Sequence, residues 1–209
     1  MFFHRKEEIV IITDTLATRE DGTALLLMSK IYIVPHLGII ISSTGIASVG
    51  QQWITDVYSR ILCRDIDALA DLAPSRLRLI QDDIANQFEL ASSFSSTIYH
   101  FGYSDKYQQY VRYVFRSEKN YEPELHLEPS FGVKPGPRGA FKEPETLPDI
   151  ISLAENIRKE QQEFPTHERV HIGGELSIAV MKEKTITCAK IHKFPDFEQQ
   201  WRQMIVAIG

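Results

Sequence analysis

The chain has 209 residues, of which 43% are hydrophobic and 24% are charged. This length and composition suit one globular domain, residues 1–209, with a sizeable core. The formal net charge of -5 excludes a strongly basic protein, so neither nucleic acid nor an anionic membrane is an expected partner. The apolar run at residues 9–12 is far too short for a membrane span or a secretory signal, so the cytoplasm is the expected location.

The first 45 residues predict β-structure throughout. Residues 8–15 are rich in β-branched side chains and are interpreted as a buried strand. Asp21-Gly22 predicts a hairpin-type turn within residues 19–23. Further strands are predicted at residues 30–34 and 38–42, and residues 2–5 are compatible with a short strand at the start.

Two helices are predicted next. Residues 48–63 carry apolar side chains at helical spacing, which predicts the first helix. Residues 65–73 are interpreted as a short connecting stretch. Pro74 is typical of a helix start, and the apolar spacing after it predicts a second helix over residues 74–89.

The second half of the chain returns to β-structure. Polar and apolar residues alternate over 95–103 and 109–117, as they do in half-buried strands. The proline- and glycine-rich residues 121–141 predict a long loop with one short strand at most. A third helix is predicted over residues 146–164, with Thr146 or Asp149 as its cap. A hairpin at 172–180 and 184–192 and a closing helix at 197–208 complete the prediction.

This order of elements predicts an α+β fold. Long helices between groups of hairpins favour antiparallel sheets with helices packed outside. A four-layer α-β-β-α sandwich of two antiparallel sheets is the arrangement we expect.

The number of cysteines and the spacing of the histidines do not indicate a cofactor site. Cys63 and Cys188 are interpreted as two buried free thiols, because a domain of this size does not need a disulfide. His167 and His171 lie four residues apart, close to a predicted strand. On a strand that spacing separates them by ~13 Å, too far to share a metal ion. We therefore expect neither a metal site nor another cofactor.

Residues 9–45 carry a resemblance to a known family. They resemble the second-to-fourth strand region of proteasome β subunits and their bacterial relatives, in the Ntn-hydrolase superfamily. Asp14-Thr15 ends a strand and Lys30-Ile31 begins another, sixteen positions on, as in that family. Gly173-Gly174 before the last hairpin is similar to a glycine pair found there.

The resemblance implies a chemistry and a set of roles. In the family an N-terminal Thr, Ser or Cys attacks an amide carbonyl, and its own α-amine takes the proton. Asp14 matches the family's Asp, which orients the lysine, and Lys30 matches that lysine. Ser43, Thr44 and Gly45 match the step whose backbone N–H groups form an oxyanion hole, although serine and threonine replace the expected early glycine.

The nucleophile has no match in this sequence. The family spacing places it upstream of Met1, and no Thr, Ser or Cys precedes Thr13. None of the later hydroxyl residues has a base placed beside it by the sequence, so each is interpreted as a strand-face hydroxyl. These residues are Thr13, Thr15, Ser29, Ser42 and Ser43.

Two functions from different classes follow. The first is a proteasome-like protein without peptidase activity, which acts through self-assembly into a homo-oligomer or through binding a peptide or amide ligand. The second is an amide or peptide hydrolase whose nucleophile lies upstream of the printed start. A third interpretation, an unrelated α+β binding domain, stays open. The basic residues near the long loop, Arg112, Arg116, Lys134 and Arg138, are expected to lie on the surface.

Overall fold

The computed structural model describes residues 1–19, 21–88, 94–166 and 168–208. Its β-strands are β1 Phe2–His4, β2 Glu8–Asp14, β3 Leu16–Thr18, β4 Ala24–Leu27, β5 Ile31–Val34, β6 Ile39–Gly45, β7 Ser96–Ser104, β8 Gln109–Arg116, β9 Pro123–His126, β10 Ser130–Gly132, β11 Glu175–Lys182 and β12 Thr185–Lys193. Its α-helices are α1 Ala47–Ser59, α2 Ile66–Phe88, α3 Leu147–Gln162 and α4 Phe197–Ile208.

Within the described residues the strands form three antiparallel sheets. One five-stranded sheet has the order β10-β1-β2-β11-β12, and the other has the order β5-β6-β7-β8-β9. Strands β3 and β4 form a separate two-stranded sheet. The prediction of an α+β fold with antiparallel sheets is confirmed, whereas the prediction of two sheets is wrong. The third sheet arises because the chain leaves β11 after Asp14 and pairs with itself around the turn at Gly22.

Three hydrophobic clusters show what each strand face contacts. Because side chains alternate along a strand, neighbours in β2 enter different clusters. Ile11 packs with Ile40 and Phe101 of the other large sheet. Ile12, its neighbour, packs with Ile150 of α3. The third cluster joins α1 and α2 to the opposite face of the β5–β9 sheet.

Helix α2 begins eight residues earlier than predicted. Its first residue is Ile66, and Pro74 lies inside the helix. Asp65 precedes the helix and accepts a hydrogen bond from the backbone N–H of Ala68 at 2.8 Å, in the manner of an N-cap. The connecting stretch predicted at residues 65–73 is therefore wrong. The apolar stripe extends back through Leu69, which is fully buried, and this packing outweighs the hydrogen bond that Pro74 cannot make.

The long loop contains more β-structure than predicted. Strand β9 pairs with its neighbour β8, and β10 pairs with β1 at the other end of the chain. The prediction of one short strand at most is therefore wrong. The β10 pairing joins residues more than 100 positions apart, such as Phe3 and Phe131, and local sequence patterns do not reveal such contacts.

The cysteines are less buried than predicted. Cys63 is partly buried and Cys188 is exposed, and both are free thiols. Cys188 lies on β12, an edge strand of its sheet, where many side chains face outward. The expectation of two buried thiols is therefore wrong for Cys188.

Candidate functional site

Asp14 and Lys30 form an ion pair at the end of two strands. Nζ of Lys30 lies 2.7 Å from Oδ1 of Asp14. The side chain of Lys30 is 25% exposed and that of Asp14 is 15% exposed, so the pair is largely shielded from water. Asp14 is the last residue of β2 and Lys30 directly precedes β5, so each large sheet contributes one partner.

The second oxygen of the Asp14 carboxylate is held by the backbone. Oδ2 accepts hydrogen bonds from the N–H groups of Leu16 and Gly173, each at 3.2 Å. The residue after Gly173 is Gly174, with φ of +73°, where a Cβ would clash with Oγ1 of Thr15. The Gly173-Gly174 step therefore lets the chain approach Asp14 closely in a left-handed conformation that other residues rarely adopt.

The residues expected to supply an oxyanion hole lie at an open strand edge. Strand β6 pairs with β7 over its whole length, but its pairing with β5 ends at Ser42. Ser43, Thr44 and Gly45 therefore have a strand neighbour on one side only among the described strands. The side chain of Ser43 packs against Gly50 of α1.

These groups line a cavity of about 680 Å³. Its walls come from β2, β6, β7, β8, the segment after β10 and the segment before β11. The α-amine of Met1 also lies in the wall and donates a hydrogen bond to the carbonyl oxygen of Ile12 at 3.0 Å. Burial lowers the pKa of that amine to about 6, although the nearby Asp14 carboxylate opposes the shift.

Most hydroxyl groups near the pair are already engaged. Ser42 donates to the carbonyl oxygen of Lys30 at 2.8 Å, and Ser29 donates to that of Ile31 at 2.6 Å. Thr15 accepts a hydrogen bond from the N–H of Glu175 at 2.9 Å. The hydroxyl of Thr13 is buried and has no hydrogen-bond partner among the described residues.

The cavity also contains basic side chains that the sequence analysis placed on the surface. Arg112 is only 6% exposed and lines the cavity together with Arg116 and Lys134. For Arg112 the surface expectation is wrong, whereas Arg138 is half exposed and pairs with Glu163. The signal was present in β8, where Tyr110 and Arg112 alternate with apolar residues and so share the face turned towards the other large sheet.

No metal site is evident in the part of the chain that the structure describes. Within it, no group of three His, Cys, Asp or Glu residues is arranged to hold a metal ion. His171 lines the cavity, and His167 lies outside the described residues. No helix among the described residues has the length and apolar character needed to cross a membrane.

The fold is shared with solved structures of Anbu proteins. Anbu (ancestral beta-subunit) from Yersinia bercovieri has a TM-score of 0.59 and 10% identity, with 99% of this chain and 94% of that chain covered. The helical assembly of the Anbu complex from Pseudomonas aeruginosa has a TM-score of 0.61 and 11% identity, with 99% and 92% covered. The Anbu (Gly-1) mutant from Hyphomicrobium sp. strain MC1 has a TM-score of 0.59 and 12% identity, with 99% and 93% covered.

These comparisons correct the identification made from sequence. No protein-family model matches the chain, and no curated protein has a similar sequence. The identification as a proteasome β-subunit-like member of the Ntn-hydrolase superfamily is wrong, because the similar structures are Anbu proteins and their 10–12% identity shows the fold alone. Short motifs such as Asp14-Thr15 lie at strand ends, where the local backbone geometry favours these residue types. Such motifs therefore do not distinguish one protein of this fold from another.

Proposed function

We propose that this protein is a proteasome-like self-assembling protein that forms homo-oligomers and has no peptidase activity. The observation that carries the proposal is the Anbu-like fold, which extends over 99% of the chain. One of those structures is described as a helical assembly of the Anbu complex. We propose that this chain also assembles from several copies, and we make no proposal about the geometry of that assembly.

We further propose that residues 1–209 form one domain with four layers. The three hydrophobic clusters support this arrangement, because they join α1 and α2 to one large sheet, the two large sheets to each other, and the second sheet to α3. The α1–α2 layer then presents its outer surface to a neighbouring copy.

Exposed apolar side chains on that layer support a contact with a second copy. Leu62, just after α1, is 98% exposed, and Leu72 of α2 is 46% exposed. Both line one surface depression. Leu79 of α2 is 53% exposed and lies seven residues after Leu72, on the same face of the helix. Large apolar residues gathered on one surface are typical of protein–protein contacts.

The absence of peptidase activity is proposed from the state of the hydroxyl groups. Ser29 and Ser42 donate to backbone carbonyls, and the ammonium of Lys30 is bound by Asp14. A general base has to lie within hydrogen-bond reach of the proton that it removes. Neither Ser29 nor Ser42 donates to a free base, and the buried hydroxyl of Thr13 has no hydrogen-bond partner among the described residues.

A second candidate is an amide hydrolase that uses the same cavity. It is favoured by the shielded Asp14–Lys30 pair beside the open edge at residues 43–45, since a lysine and backbone donors near one cavity suit acyl transfer. A peptide-like reactive inhibitor separates the two candidates. We expect the intact mass of the treated chain to remain at 24.0 kDa, whereas a covalent adduct would favour the hydrolase.

Assembly is tested by sedimentation velocity over a range of concentrations. We expect the unmodified chain to sediment as an oligomer, and the double variant L62E/L72E to shift to smaller species, because the new charges would be buried at the contact. The control L147E places the same charge at an exposed leucine of α3 and should leave the distribution unchanged. A monomer at all concentrations would contradict the proposal.

A further inference from the structure

Arg112 has a buried guanidinium group without a hydrogen-bond acceptor. Its Nε and Nη1 atoms are inaccessible to water and have no hydrogen-bond partner among the described residues. The group packs over the ring of Phe2, with Cζ 4.2 Å from the ring centroid. No described carboxylate forms an ion pair with it, and the ring contact leaves the N–H groups unsatisfied.

Such a group is costly for the fold. Arginine stays protonated in proteins, so it cannot escape the cost of burial by losing its charge. A buried charge without a partner destabilises the folded state, and the unmade hydrogen bonds of its donors add to that cost. A buried guanidinium with unused N–H donors is suited to bind an anion, because its hydrogen bonds to a carboxylate or phosphate are strong.

The carboxylate on the strand next to β8 is already paired with other cations. Glu124 of β9 accepts a hydrogen bond from Nε of Arg116 at 2.9 Å and lies 3.4 Å from Nζ of Lys119. Its charge is therefore shared between two other cations. Arg112 remains without a counterion within the described part of the chain.

Further donors face the same part of the cavity. Arg116 lies two positions along β8 from Val114, on the face that carries Arg112. Tyr99 is directly opposite Val114 on β7, and so lies between the two arginines in register. Lys134 follows β10, and its Nζ has Oγ1 of Thr97 as its hydrogen-bond partner at 3.5 Å.

The net charge of the cavity wall is positive. Lys30 is neutralised by Asp14, which is the only carboxylate among the described residues of the lining. Arg116 is paired with Glu124, outside the lining, whereas Arg112, Lys134 and a further arginine, Arg169, have no ion-pair partner among the described residues of the lining. Cations gathered at one low-dielectric wall attract an anion and repel a cationic ligand.

We infer that the Arg112 end of the cavity binds an oxyanion, a carboxylate or a phosphate, carried on a small ligand with an apolar body. The guanidinium presents N–H donors in a geometry that matches two oxygens of either group. Phe2, Phe101 and Val114 line the adjoining wall and provide an apolar contact for the rest of the ligand. The inference concerns a ligand of the cavity and does not depend on assembly.

Isothermal titration calorimetry of the full chain tests the inference with three probes: hexanoate, phenyl phosphate and the neutral hexanamide. We expect hexanoate, phenyl phosphate or both to bind and hexanamide not to bind. Binding of hexanoate alone identifies a carboxylate site, and binding of phenyl phosphate alone identifies a phosphate site. The variant R112M keeps the apolar stem over Phe2 and should weaken binding about 10- to 100-fold, since it removes charged hydrogen bonds.

The control variant is R138M. Arg138 also lies over an aromatic ring, with its Cζ 4.0 Å from the centroid of the Phe164 ring. Unlike Arg112, it is half exposed, pairs with Glu163 and is not part of the cavity wall. It should leave binding unchanged. If R112M does not fold, K134M carries the test and should weaken binding several-fold. Absence of binding by both anions, equal binding of hexanamide, or unchanged binding by the folded R112M or K134M variant would overturn the inference.

Discussion

At the scale of single residues, the position of Asp14 depends on a glycine. Gly174 adopts φ of +73°, and a Cβ there would clash with Oγ1 of Thr15 and lie 2.7 Å from Leu27. Its neighbour Gly173 supplies one of the N–H groups that hold the Asp14 carboxylate. A side chain at position 174 would therefore disturb the backbone that holds the Asp14 carboxylate beside Lys30.

We predict that G174A lowers the free energy of unfolding by about 1 to 3 kcal/mol, because alanine is strained in a left-handed conformation and crowds Thr15. Urea denaturation measures the change. The control G139A introduces a Cβ with no atom within 4 Å and should have little effect. Equal stability of the two variants would show that Gly174 is not under the steric constraint described.

His100 gives the fold a dependence on pH. It is fully buried, and its Nε2 accepts a hydrogen bond from Nε1 of Trp53 at 2.9 Å, so it is neutral. Burial lowers the pKa of His100 to about 3. The unfolded chain takes up a proton near pH 6.5 and the folded chain does not, so stability contributed by neutral His100 is lost as the pH falls from about 6.5 towards 3.

The slope expected from this one group is up to about 1.4 kcal/mol per pH unit within that range. Denaturation at a series of pH values measures it. In H100Q the glutamine can still accept the hydrogen bond from Trp53 but does not titrate, so the slope should be shallower by that amount. Identical slopes for the two proteins would mean that His100 does not contribute.

At the scale of elements, α1 and α2 are joined by a buried ion pair. Asp56 of α1 is fully buried, and one of its carboxylate oxygens accepts a hydrogen bond from Nε of Arg76 in α2. The Arg76 side chain is 32% exposed. Loss of the Arg76 charge therefore leaves the Asp56 anion buried. Loss of the Asp56 charge leaves the Arg76 cation, which can reach water.

We predict that R76M lowers the free energy of unfolding by about 3 kcal/mol, because it leaves Asp56 buried with, among the described side chains, only Gln52 and the more distant Arg60 as polar partners. D56N should cost less, since Arg76 is hydrated once released. Chemical denaturation of both variants checks the order. A larger loss for D56N than for R76M would contradict this description of the helix pair.

Sequence patterns predicted elements well where the information is local. The alternation in β7 and β8 and the helical spacing in α1 and α3 placed these elements within four residues of their observed bounds. Capping of α3 by Thr146, together with Asp149 in a capping box, also follows from local residues. Pro74 misled the prediction for α2, because a proline favours a helix start but is tolerated within a long, well-packed helix.

The candidate site was less accessible from sequence. Asp14 and Lys30 were found because a family resemblance singled them out, and the structure places them in contact. Arg112 was predicted to lie on the surface. It is buried because β1 and β8, which are far apart in the sequence, meet in the fold and place Phe2 over its guanidinium group. The segment after β10 that brings Lys134 to the cavity is positioned by the pairing of β10 with β1, which no local pattern reveals.

At the scale of the whole molecule, the ligand cavity and the apolar outer surface are two separate features. The cavity lies between groups from both large sheets, whereas the exposed leucines lie on the α1–α2 layer. A ligand in the cavity and a second copy on the helices would therefore occupy separate places. Substitutions at Leu62 and Leu72 should alter assembly without altering anion binding, and R112M should do the reverse.

Electron microscopy of the purified chain tests the central claim of self-assembly most directly. We predict particles built from repeated copies of the chain, and their loss in L62E/L72E. Fields that contain no particle larger than a 24.0 kDa monomer, at concentrations where the chain is folded, would contradict the account.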